Sequence, residues 1–154
     1  MAVQEETGRM GAGTEAKVFL QPIAAPSILG LLAFAGATFI LAAWFAGWFG
    51  RAVTPYYIAP FIGVLGGVAQ LLAGMWAYRA RDGVATAIHG TWGAFYLGYG
   101  LLYGIFAISP ALRPAVALFP ELGFWFIVVA AISWVLSLAA MGQRGALAAV
   151  VMSV

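Results

Sequence analysis

The chain has 154 residues, 64% of them hydrophobic and 8% charged, with a formal net charge of +2, a single histidine and no cysteine. Ordinary soluble domains carry about 25% charged residues, so a water-soluble fold is excluded, and the small net charge excludes a nucleic-acid partner, which needs a strongly basic face. Disulfides and thiolate-held metals are excluded with cysteine; one histidine without clustered carboxylates supplies no metal site and no axial pair for haem, so no metal or cofactor is expected.

Residues 1–25, with Glu5, Glu6, Arg9, Glu15 and Lys17, read as a polar tail. A basic n-region, short apolar core and small-residue cleavage site are missing, so the tail is not a signal peptide. The remainder, 26–154, is a transmembrane domain. Apolar runs extend from Pro26 to Phe49, Tyr56 to Tyr78, Val84 to Ala107 and Leu122 to Gly142, each long enough for a helix of about 20 residues to cross a bilayer. Barrel strands alternate apolar and polar positions over about 10 residues, whereas these runs are apolar throughout. After Gln143-Arg144-Gly145, "ALAAVVMSV" is expected to begin a fifth helix that ends at Val154 before it can cross. The expected fold class is therefore an all-α integral membrane protein, a helical bundle of four full transmembrane helices plus the start of a fifth.

The connections are short, "GRAVTPY", "RARDG", "SPALRPAVALFPE" and "QRG", and hide no soluble domain. Arg9, Lys17, Arg79, Arg81 and Arg144 fall on one side, Arg51 and Arg113 on the other. Basic residues favour the cytoplasmic side, which places the N-terminus in the cytoplasm of a multi-pass protein of the plasma (inner) membrane. Small residues recur four apart, Gly63 with Gly67 and Gly90 with Ala94 and Gly98, as close helix packing in lipid requires. Trp44, Trp48, Phe49, Tyr56, Tyr57, Trp76, Tyr78, Phe119, Phe124 and Trp125 cluster at segment ends, as an interfacial aromatic belt does.

Within the crossings the polar side chains are Ser27, Thr38, Gln70, Thr86, His89, Thr91, Ser133 and Ser137, and none carries a full charge. An ionised group at the bilayer centre costs several kcal/mol and is kept where it binds something; this chain offers amide, hydroxyl, imidazole and indole donors instead. Gln70 reads either as a hydrogen-bonding clamp between helices or as a donor facing a passage. The hydroxyls can bond their own helix one turn back. Thr38, Gln70, Thr86 and His89 are the candidate polar lining of a pathway. No Ser, His and Asp set or carboxylate pair lies in the crossings, so no enzyme is expected.

"GGVAQLLAGMWAYR" (66–79), "ATAIHGTWGAFY" (85–96) and "APSILGL" (25–31) together resemble the signatures of the acetate transporter family, the succinate-acetate permease relatives. The departures are Ala25 for an asparagine, Ile28 for a proline and Ala77 for a frequent glutamate. The resemblance implies a six-helix fold, a homo-hexamer with a pore in each protomer, and a constriction formed by a phenylalanine, a tyrosine and a leucine. By motif register these fall on Phe34, on Trp92 in place of the tyrosine, and on Val154, with Gly30 and Gly93 leaving room for neighbouring helices. The implied partners are a small carboxylic acid, protons and the lipid bilayer. With no buried cation to compensate a carboxylate, the neutral acid crosses an apolar ring at far lower cost than the anion. The competing reading is a membrane scaffold whose small-residue stripes bind partner helices.

Overall fold

The computed structural model describes residues 24–109, 111 and 120–142. Among them no strand occurs, and four helices are long and apolar enough to cross a membrane: α1 (Pro26–Phe45), α2 (Thr54–Arg79), α3 (Gly83–Ile108) and α4 (Pro120–Met141). The expected start of a fifth helix lies outside the described residues.

Local chemistry fixes the helix ends. Pro26 stands in the first turn of α1, where its missing N–H is not needed. The helix stops short of the expected Phe49 because Gly47 adopts a left-handed φ of 72°. In that turn the Gly47 N–H donates to the Trp44 carbonyl at 3.0 Å and the Trp48 N–H to the Ala43 carbonyl at 3.0 Å, closing the helix in a Schellman motif. α2 ends the same way, with Arg81 at φ 61° and the Asp82 N–H bonded to the Ala77 carbonyl at 3.0 Å. Asp82 then caps α3, its Oδ1 accepting from the Ala85 N–H at 2.9 Å.

One feature departs from the uniform second helix expected from hydropathy: Ile62–Ala69 winds as a π-helix. Pro60 lies just before it and removes the N–H that would bond the carbonyl four residues back. Gly63, Gly66 and Gly67 add no Cβ to oppose the wider winding. Buried positions in this segment come in pairs, Ile62 with Gly63 and Gly66 with Gly67, so a broader face of α2 turns inward.

That face meets α3 at backbone distance. A Cβ added at Gly63 would lie 3.1 Å from Gly100 Cα, one at Gly67 2.8 Å from Leu97 N, and one at Gly93 2.8 Å from Leu71 N. Such approaches hold helices together where lipid removes the hydrophobic drive. The tight stripe of α3 is thus Gly93, Leu97 and Gly100. Of the expected stripe, Gly90 lends its backbone to Gly74, while an added Cβ at Gly90 or Gly98 meets nothing within 4 Å. α1 packs against α2 and α3 with Gly30, Ala33, Ala37 and Leu41 buried. α4 buries one stripe, Leu122, Val129, Ser133, Ser137 and Ala140. Outside, Phe61 is 77% and Ile108 82% exposed, a surface suited to lipid and not to water.

Candidate functional site

α1 and α3 run in the same direction, and their inward residues pair in successive rungs about one turn apart. At the first rung the His89 ring fills the space that a side chain at Gly30 would occupy. At the second, Phe34 meets Trp92 edge to face, with ring centroids 5.0 Å apart and planes at 69°. At the third, Thr38 Oγ1 and the Tyr96 hydroxyl share a hydrogen bond of 2.5 Å. Tyr96 also lies 6.4 Å from Phe34 and 5.6 Å from Trp92, centroid to centroid, so the aromatic rung and the hydroxyl rung are continuous. Gly30 therefore makes room for a side chain and Gly93 for a neighbouring backbone, where both were expected to accommodate helices.

α2 closes the column from the third side. An added Cβ at Gly66 would strike Ala37 Cβ and the Tyr96 ring, and one at Gly74 would lie 3.1 Å from Gly90 N. Gln70, one turn beyond Gly66, is thereby bracketed between the Tyr96 and Gly90 levels. Gln70 and His89 are both 0% exposed, and the two polar atoms of each have no hydrogen-bond partner. Buried polar groups are nearly always bonded, and an unbonded one calls for a reason. Gln70 forms no clamp to another helix; its donors and acceptor remain uncommitted inside the junction.

The sequence-predicted residues thus separate. Phe34, Trp92 and Thr38 meet through Tyr96, with His89 one rung away and Gln70 on the facing helix. Thr86 does not join them: its hydroxyl donates to the Asp82 carbonyl at 2.6 Å, and it lines a shallow recess with Tyr78, Arg79, Arg81 and Gly83 at the end of the bundle. Val154 lies outside the described residues. Two participants were not singled out beforehand. Tyr96 follows Trp92 by four residues and so shares its face, a signal present in "ATAIHGTWGAFY". Ser133 accepts the Trp92 Nε1–H at 3.0 Å, a pairing that no sequence spacing announces.

Among the described residues no group of His, Cys, Asp or Glu is placed to hold a metal. A separate recess of about 550 Å³ lies between α3 and α4, lined by Ala94, Gly98, Leu102, Trp125, Val128 and Ile132 among others. Its wall is almost wholly apolar, and it offers little to orient a polar solute. The column of rungs combines an apolar narrowing with uncommitted polar atoms, the combination expected of a selective site.

Comparison with known proteins agrees with the motifs. Residues 7–154 match the sequence model of the GPR1/FUN34/yaaH family. No curated protein and no solved structure matches the chain.

Proposed function

Because this chain belongs to the GPR1/FUN34/yaaH family, the acetate transporter family associated with acetate and monocarboxylate transport, we propose that it passes short monocarboxylic acids through the junction of α1, α2 and α3. The observation that carries this reading is the contact of Phe34 with Trp92, 5.0 Å between centroids, flanked by the Thr38 and Tyr96 hydroxyls and by unpaired polar atoms of Gln70 and His89. Two rings across a passage exclude water and hydrated ions, as apolar constrictions do. The polar groups on either side hold a carboxyl group weakly and release it.

The buried polar residues among those described are Gln70, His89, Ser133 and Ser137, and none is a fixed cation. A carboxylate stripped of water there has no counter-charge, and the cost of burying a bare ion far exceeds that of a hydrogen-bonded neutral group. The undissociated acid, or the anion moving together with a proton, is the transported form. The family resemblance and the distribution of basic residues support a homo-hexamer in the plasma membrane with a cytoplasmic N-terminus.

Uptake of labelled acetate into liposomes reconstituted with the full chain tests this reading. Saturable or protein-dependent uptake above empty liposomes is the expected result. Uptake no faster than that of empty vesicles would favour the scaffold reading, for which the exposed Ala94 and Gly98 face of α3 is the natural contact.

A further inference from the structure

Trp92 spans three elements at once. Its ring lies against Phe34 of α1 and against Phe95 and Tyr96 of its own helix, while its Nε1–H reaches Ser133 Oγ of α4 at 3.0 Å. The serine is itself oriented, since its hydroxyl donates to the Val129 carbonyl at 2.8 Å. A serine hydroxyl has one proton and two lone pairs. With the proton committed to Val129, the lone pairs are fixed in direction and one faces the indole. Ser133 is 6% and Trp92 8% exposed, so water does not compete for the bond.

An indole nitrogen donates and cannot accept. In an apolar surrounding an unbonded N–H is costly, so the Ser133 acceptor favours the one ring orientation that meets it. The bond to α4 therefore selects one orientation of a large ring that would otherwise rotate about two side-chain torsions. We infer that Ser133 is a specificity-determining positioning residue: it holds the Trp92 indole across the passage and so sets the size of acid admitted. The inference rests on the transport reading above. It adds that the narrowing is governed from α4, a helix that contributes no ring to the contact between Phe34 and Trp92.

Labelled acetate and labelled butyrate uptake into liposomes containing the full chain tests it. Ser133→Ala is expected to raise the ratio of butyrate to acetate uptake by about fivefold, the factor conferred by a hydrogen bond of ordinary net strength. Ser133→Thr, which keeps the hydroxyl, is expected to restore the original ratio. Trp92→Phe, which removes the N–H from the other side, is expected to raise the ratio and to make a further Ser133→Ala change silent, as two halves of one interaction do in a double-mutant cycle. An unchanged ratio in folded Ser133→Ala, or the same Ser133→Ala effect in the Trp92→Phe background, overturns the positioning role while leaving transport intact. Should Ser133→Ala fail to fold, Trp92→Phe decides, and an unchanged ratio in that variant overturns the role. Absence of acetate uptake by the unaltered protein defeats the transport reading itself, and this inference with it.

Discussion

At Gln70 the energetics distinguish two roles with opposite signs. A clamp between helices would contribute about 1 kcal/mol, and replacing it by leucine would lower stability. The amide instead lies fully buried with both polar atoms unpaired, and replacing an unpaired buried polar group by an apolar one of similar shape is neutral or stabilising. Gln70→Leu is therefore expected to leave thermal unfolding in detergent unchanged or slightly raised while acetate uptake falls; a loss of stability without loss of uptake would contradict the pathway role. Gly30 admits a second residue-level test. Alanine there would collide with the His89 ring, and overpacking of this kind costs about 1–3 kcal/mol. The Gly30→Ala variant should melt early, and adding His89→Ala should recover most of the loss, because the collision needs both side chains.

Among the helices, α2 and α3 form the rigid pair that places the site. Their separation is set by glycines whose missing Cβ atoms would meet backbone, which cannot rotate aside. Gly93→Ala forces the α3 backbone away from Leu71, where an added Cβ would lie 2.8 Å from the amide nitrogen, and is expected to destabilise by about 1–3 kcal/mol. Gly98→Ala meets nothing within 4 Å among the described residues; relief of the glycine entropy cost predicts no loss and a gain of up to about 1 kcal/mol. Thermal unfolding of the two variants side by side measures the contrast. Equal destabilisation would mean that another surface also covers the Gly98 face. The π-helical Ile62–Ala69 segment contributes to the same geometry by turning Gly63 toward Gly100 and Gly66 toward Tyr96.

For the whole molecule the deciding quantity is charge. With no fixed cation among the described buried polar residues, the proposed pathway favours the neutral acid, so the sign of the pH dependence follows from the substrate. At fixed total acetate, well above a carboxyl pKa of roughly 4 to 5, the undissociated fraction grows about tenfold for each unit by which pH falls. Uptake should rise as external pH is lowered and level off near that pKa, with protons appearing inside the vesicle alongside acetate. A flat profile without proton entry would identify an anion channel.

Hydropathy and charge spacing were sufficient to read four crossings from the sequence, because the free energy of placing a helix in lipid sums over its residues and does not depend on how the helix is rotated. The interior polar residues Gln70 and His89 were legible for the same reason, as isolated exceptions inside apolar runs. The end of α1 was also within reach of the sequence, since Gly47 is a strong left-handed terminator, although apolar continuity through Phe49 obscured it. The pairings that make the site were not legible. Thr38 with Tyr96, 58 residues apart, and Trp92 with Ser133, 41 apart, depend on the rotation and depth of one helix against another. For α1 these are set by close approach to its neighbours, where the His89 ring fills the space beside Gly30 and where Gly66 of α2 faces Ala37 and Tyr96. Thr86 shows the converse: its residue type suits a pathway, yet the capping turn at Asp82 takes its hydroxyl. The sequence by itself determined that, among the described residues, four helices are long and apolar enough to cross a membrane, and which polar groups they carry. The tertiary structure decided which of those groups meet, because in lipid the faces are matched by close packing and hydrogen bonding between distant residues and not by hydrophobicity, the one property that a local stretch of sequence reports.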